Sequence, residues 1–337
     1  MLRNNCIYFF IFPELSIFII STMKLKSIFK KFKPLHWIYN LTHFIELRHN
    51  LKPYKKYGIN KSLFESLSSK DFPDKTSRAW LDINYSNIVI SSKKEFESFT
   101  PNIQEQLKKW STNGYLTLSK YFSDREINAV NQEVNSLINE KGHSITHDNK
   151  LMYGYKHSEV IKEMMHNTGL IKILSFILDK EVIPFQTLNF VKGSGQRAHS
   201  DSIHMTTYPL GYLIAAWIAL EDIHPDSGPL FYYPGSHKLP YLLNDDFENY
   251  STKFMLGNKD YSDYEDVTED ILMKSDFEKK IFLPKKGDVL IWHANLIHGG
   301  MPVVNPTLTR KSMVVHYYAK DVIKYHEITE RPSLMKD

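Results

Sequence analysis

From Ile183 to Tyr318 the chain breaks into short apolar runs separated by glycine- and proline-rich turns, and this rhythm limits the possible architectures more than any other feature. Runs near 183–191, 197–203, 212–220, 229–233, 287–292 and 311–318 have strand length and strand composition. The turns between them include Lys192-Gly193-Ser194-Gly195, His224 to Pro229 and Tyr233-Pro234-Gly235-Ser236-His237. Strands spaced in this way predict a β-sandwich or jelly roll. Residues 241–280 interrupt the series with acidic, polar sequence, which reads either as an insertion forming a lid or as a plain solvated loop.

Helical signals precede the strands. Asn113-Gly114 reads as a turn into a strand at 115–118. Ser123 with Glu126 forms a capping box, and Ile127, Val130, Val134, Leu137 and Ile138 give a helix stripe ending near Gly142. A second helix is predicted over 158–178. Leu25, Ile28, Phe29 and Phe32 line one face of a short basic helix over 24–33, stopped by Pro34. That helix either covers the main domain or makes a weak contact with an anionic membrane surface. The expected organisation is α+β with a mainly β core: residues 1–22 as a doubtful, unstructured start, 23–106 as a helical and irregular extension, 107–320 as the main domain, and 321–337 as a tail.

A formal charge of +4 on 337 residues is too weak to imply a nucleic-acid partner. The single cysteine, Cys6, excludes an intrachain disulfide framework and a cysteine-rich zinc site, and it fits a reducing, cytoplasmic setting. The apolar stretch 6–20 contains Pro13 and Glu14 and falls short of the roughly 20 residues a membrane span requires. A start at Met23 and a signal or anchor at the first methionine are the two readings of this segment.

His199 and Asp201 are two apart, so on a strand both point to one face. With a second imidazole from elsewhere they make the 2-His-1-carboxylate arrangement, which holds Fe(II) on one side and leaves positions for a cosubstrate and oxygen. His298, after the run Gly287 to Ile297, is the candidate. Alone, the pair is weak evidence: among 15 histidines about one such triplet arises by chance, and His224-Pro225-Asp226 is another. Twelve residues after His298 stands Arg310, at the head of the run 311–318. Buried, its planar guanidinium would suit the distal carboxylate of 2-oxoglutarate; a surface salt bridge is the commoner fate of an arginine.

These residues, together with Ala216 to Asp222, Asp226-Ser227-Gly228-Pro229-Leu230, Pro234-Gly235-Ser236-His237 and Gly287-Asp288-Val289, resemble the phytanoyl-CoA dioxygenase family over roughly 107–320. The resemblance implies a double-stranded β-helix (jelly roll) using Fe(II), 2-oxoglutarate and O2 to hydroxylate a small organic or acyl substrate, with release of succinate and CO2. By it, His199, Asp201 and His298 match the iron ligands and Arg310 the 2-oxoglutarate anchor. Trp217 matches an aromatic beside the cosubstrate. Some relatives place a hydroxyl two residues after the distal histidine; here that position is Gly300, and Ser312 or Gln186 would substitute. His204, His157, Tyr153, Tyr155 and Tyr208 are candidates for the substrate side or for plain core and rim. The rival readings are a catalytically silent barrel that binds a metal or small acid, and a cupin-type isomerase.

Overall fold

A computed structural model of the chain describes residues 30–72, 79–82, 86–146 and 149–334, and structural statements below concern these residues. Twelve strands follow one another: β1 (Tyr115–Leu118), β2 (Lys150–Met152), β3 (Val182–Phe190), β4 (Thr206–Tyr208), β5 (Leu213–Ala219), β6 (Leu230–Tyr232), β7 (Lys280–Ile281), β8 (Val289–His293), β9 (His298–Gly300), β10 (Ser312–Ala319), β11 (Ile323–His326) and β12 (Arg331–Pro332). All pairings are antiparallel. They build a six-stranded sheet in the order β1-β8-β5-β10-β3-β2 and two three-stranded sheets, β12-β11-β4 and β7-β6-β9. The predicted mixture of helix and antiparallel sheet is therefore present.

The central strands β5, β8 and β10 are buried along their whole length, because both faces of the large sheet are covered. Period-two alternation divides their side chains. Ile214, Ala216, Ile218, Val289, Ile291, Met313, Val315 and Tyr317 pack against helices on one face. Ala215, Trp217, Leu290, Trp292 and Val314 turn to the other. Four helices of ten residues or more accompany the strands: α1 (Lys33–Thr42), α2 (Asp124–Asn139), α3 (Thr168–Leu178) and α4 (Tyr261–Met273). α2 starts at the predicted box, Ser123 N–H donating to Glu126 and Glu126 N–H to Ser123 Oγ, and buries Ile127, Val130, Val134 and Leu137 against the sheet.

Several expectations are corrected. The helix predicted over 158–178 is two, Glu159–Met165 and α3. Asn167 leaves helical geometry and accepts the Leu170 N–H, capping the second helix. Pro34 stops nothing; it stands in the first turn of α1, where its missing N–H costs no bond. Residues 24–29 of the predicted basic helix lie outside the described residues, as do 1–22 entirely.

The segment predicted as a strand over 197–203 pairs only at His199, which exchanges two backbone hydrogen bonds with His298. The chain then coils into a 3-10 turn at Asp201–Ile203, because the Asp201 carbonyl accepts from His204 and Met205. Within the expected tail at 321–337, two strands are present instead: β11 pairs with β4, and β12 with β11. The interruption at 241–280 carries α4, whose Tyr264 and Thr268 are buried.

Candidate metal centre

Position His199 and His298 side by side across an antiparallel bridge, and their rings come within 4.5 Å centroid to centroid. The 3-10 turn swings Asp201 back beneath them. Its Oδ1 lies 3.9 Å from His199 Nε2 and 3.8 Å from His298 Nε2. One ligand atom from each of the three buried residues falls within 4.8 Å of the others, the separation a single ion spans. His199 Nδ1 lies 2.8 Å from the Arg197 carbonyl and His298 Nδ1 3.0 Å from the Leu296 carbonyl. A carbonyl only accepts, so each Nδ1 carries the hydrogen, and in the neutral ring the Nε2 lone pair faces the centre.

Burial pulls His199 down to about 4, keeping it neutral near pH 7. Burial also opposes the Asp201 charge, but the imidazoles of His298, His316 and His199 outweigh it and hold the carboxyl below its usual range.

Around this carboxylate the sheet supplies two residues that sequence reasoning missed. Trp292 Nε1 donates to Asp201 Oδ2 at 2.8 Å, and His316 Nε2 stands 3.4 Å from the same oxygen. Both face Ala215 in register, one from β8 and one from β10. The alanine methyl between them leaves room for both rings to converge. With Oδ2 held in this way, Oδ1 is free to bind a metal.

Along β10 the same face carries, in order, Arg310 just before the strand, then Ser312, Val314, His316 and Tyr318. Arg310 is 3% exposed, and no carboxylate lies within ion-pair distance of it among the described residues. Its Nη1 donates to Ser312 Oγ at 2.8 Å, while its Nε is buried without a partner. The guanidinium lies over Phe190 at 4.7 Å and beside Trp217 at 5.9 Å. Burial lowers its pKa to about 10, against the pull of Glu221, so it remains a cation at neutral pH. A buried cation without a counterion costs several kcal/mol, so an anion brought to this end of the sheet would offset that cost.

Two helpers were expected for Arg310, and the register separates them. Ser312 touches it. Gln186 does not: it pairs with His316, on the level of the metal ligands, and its Nε2 reaches Tyr153 Oη at 3.4 Å. Trp217 is buried between Leu290 and Val314 and forms a wall beside the guanidinium.

A cavity of about 1020 Å³ opens over the three ligands, lined among others by His204, Tyr153, Tyr155, Gln186 and His316. Two expected lining residues are elsewhere. Tyr208 stacks on Phe72 at 4.3 Å in a separate cluster, and His157 packs on His143 at 4.2 Å. The wall also takes His326, Thr329 and Arg331 to Leu334 from the segment expected to be a tail.

The family model described as phytanoyl-CoA dioxygenase (PhyH) matches residues 110–312, more than half of the chain. A phytanoyl-CoA dioxygenase domain-containing protein 1 of Danio rerio is 30% identical over 103 residues, a match spanning 30% of this chain and 31% of that protein. The peroxisomal phytanoyl-CoA dioxygenase of Rattus norvegicus is 24% identical over 245 residues, covering 64% of this chain and 68% of that one. Among solved structures, the non-heme alpha ketoglutarate dependent carbocyclase SnoK from nogalamycin biosynthesis superposes with a TM-score of 0.54 at 16% identity, over 69% of this chain and 89% of that chain. At that identity the likeness is one of fold.

Proposed function

The chain belongs to the phytanoyl-CoA dioxygenase family; from that premise we propose that it is a 2-oxoglutarate-dependent dioxygenase that hydroxylates a small organic or acyl molecule, with His199, Asp201 and His298 as the iron ligands and Arg310 as the cosubstrate anchor. In this reading the large sheet and the β7-β6-β9 sheet are the two halves of a double-stranded β-helix, joined at the metal centre by the His199–His298 bridge.

The observation that carries the reading is the buried Arg310, a cation with no carboxylate of its own on the face of β10 that continues to the metal centre. A five-carbon keto-diacid fits both needs. Arg310 would hold its distal carboxylate, and His199, Asp201 and His298 would hold the metal that its keto-acid end needs. Ser312 fixes the orientation of the guanidinium, and Phe190 and Trp217 exclude water from it. The donor set fits Fe(II): two imidazoles whose Nδ1 hydrogens are taken by backbone carbonyls and a carboxylate whose second oxygen is already engaged by Trp292. When bound, the iron and 2-oxoglutarate supply the oxygen activation, yielding succinate and CO2. The protein's own part is to hold the substrate C–H bond over the metal centre in a cavity walled by aromatic side chains.

Anaerobic addition of Fe(II) and 2-oxoglutarate to the purified protein is expected to produce the weak visible charge-transfer band of the chelate. The band is lost in His199→Ala. In Arg310→Ala it requires at least about tenfold more 2-oxoglutarate, since a charge-assisted bidentate contact is removed. A folded wild-type protein that gives no band would sink the reading. A band without succinate formation under air would favour the silent binding barrel.

A further inference from the structure

Beyond the metal centre, the cavity holds a second built feature that the proposed chemistry does not use. His204 Nδ1 and His326 Nε2 are 3.2 Å apart, and both rings line the cavity. His326 Nδ1 accepts the backbone N–H of Thr329 at 3.4 Å. Burial holds both imidazoles neutral, His204 lowered to about 3 and His326 to about 4. A neutral imidazole carries one hydrogen, so the tautomers follow in sequence. His326 Nδ1 is an acceptor, so its hydrogen is on Nε2 and is donated to His204 Nδ1. His204 then carries its own hydrogen on Nε2, on a ring that lines the cavity. Tyr261 of α4 packs against the ring at 4.3 Å, tilted by 44°, and limits its rotation. The pair is thus a fixed relay presenting a single N–H donor.

The charges around it point the same way. The cavity lining contains three cationic side chains, Lys150, Lys156 and Arg331, and one carboxylate, Asp201, which belongs to the metal centre. Neither Lys156 nor Arg331 has a carboxylate within ion-pair distance among the described residues. Arg331 pairs in register with His326, so it stands beside the relay, while Lys156 lies against the Tyr153 ring at 4.7 Å elsewhere in the lining of the same cavity.

We propose that this lining is the substrate's anchoring subsite, in which His204 Nε2–H, Arg331 and Lys156 bind an anionic oxygen-bearing group, carboxylate or phosphate, on an otherwise aromatic or aliphatic body. The proposal rests on the cavity being the substrate site of the oxygenase. A cationic substrate is disfavoured by repulsion, and a neutral one gains no charge-assisted bond from the two cations.

The test uses the full chain and four probes of one shape: 3-phenylpropionate, 3-phenylpropyl phosphate, 3-phenylpropanol and 3-phenylpropylamine, titrated by calorimetry. At least one of the two anions is expected to bind about tenfold or more tighter than the alcohol, and the amine is expected not to bind. Whichever anion is preferred identifies the group. His204→Phe, Arg331→Gln and Lys156→Gln should each weaken that anion severalfold. The last two replace exposed residues and do not threaten the fold. Arg310→Ala should leave the anion's affinity unchanged. Histidine nitrogen spectra should show His204 protonated at Nε2, with that resonance shifting on anion binding.

Equal affinity for anion and alcohol would overturn the proposal. So would tighter binding of the amine, or a loss that follows Arg310 and spares His204 and Arg331. The iron–2-oxoglutarate band, recorded in His204→Phe, is expected to persist. Its absence from wild-type protein that still selects anions would sink the oxygenase reading and leave the anion subsite standing.

Discussion

The metal centre is governed by which atom of each side chain remains free. Backbone carbonyls take the Nδ1 hydrogens of His199 and His298, and Trp292 takes one oxygen of Asp201, so three lone pairs are directed at a single point. Trp292→Phe keeps an aromatic ring above Ala215 but removes the donor. We expect Fe(II) affinity, measured by competition with a chelator, to fall about tenfold while the fold is retained. Unchanged affinity would mean that Trp292 only fills space. The candidate triad and Arg310 were named from motif spacing and the family resemblance, and only Arg310 and Ser312 owe their common side to alternation along one strand. Trp292 and His316 were not legible, although both lie in predicted strands, because their convergence depends on facing the same alanine from two different strands. Gln186 was misassigned for the same reason: cross-strand register places it opposite His316 and away from Arg310.

At the level of elements, α4 is held over the ligand-bearing segment by a charge cluster. Arg197, two residues before His199, bonds Glu269 at 2.6 and 2.8 Å and Asp266 at 2.7 Å, with Glu265 at 3.5 Å. Tyr264 of the same helix accepts the Ser200 N–H at 3.1 Å. Because Arg197 is 38% exposed, water screens this cluster, and its contribution to global stability is small. Arg197→Gln is therefore expected to shift melting by only a few degrees at most. Amide exchange over 261–273 should rise clearly, since the helix loses its tether. Unchanged exchange there would show that the two tyrosines suffice. The acidic composition of 241–280 signalled solvent but could not reveal that its carboxylates answer one arginine. The strand predicted over 197–203 failed on similar grounds. Alternation suited a strand, but the Asp201 carbonyl found local donors in His204 and Met205, and the chain turned.

Across the whole molecule, distant segments meet at Glu327. Its buried carboxylate accepts from Ser69 N–H and Oγ–H and from the Asn244 N–H, joining the region before the main domain, the 241–280 insertion and the C-terminal strands. Burial raises its pKa above the ordinary 4.5, although the hydrogen bonds from Ser69, Asn244 and Tyr325 oppose the rise. A raised carboxyl pKa means that the folded protein holds this proton more tightly than the unfolded chain does. This contribution to stability is complete below the unfolded value and is lost as pH climbs from about 4.5 through the folded value. Glu327→Gln, which cannot ionise, should flatten that part of the stability curve, so the variant's deficit relative to wild type is largest near pH 4 and smaller near pH 7. Chemical denaturation at a series of pH values checks this, and a deficit independent of pH would contradict it. The partition at residue 320 was unreadable from the sequence because short, polar strands such as β11 and β12 gain their identity only from partners far away along the chain.

The placement of β11 and β12 divides the molecule's inheritance. The candidate metal ligands and Arg310 come from one stretch, 199–310, while His326 and Arg331 to Leu334 add cavity wall from later in the chain. Descendants of such a protein are therefore free to change what they recognise by rewriting a dozen residues, without disturbing the reaction. A terminal exchange between two relatives is the corresponding laboratory recombination, and it would move preference from one parent to the other while leaving the oxygen chemistry to the recipient.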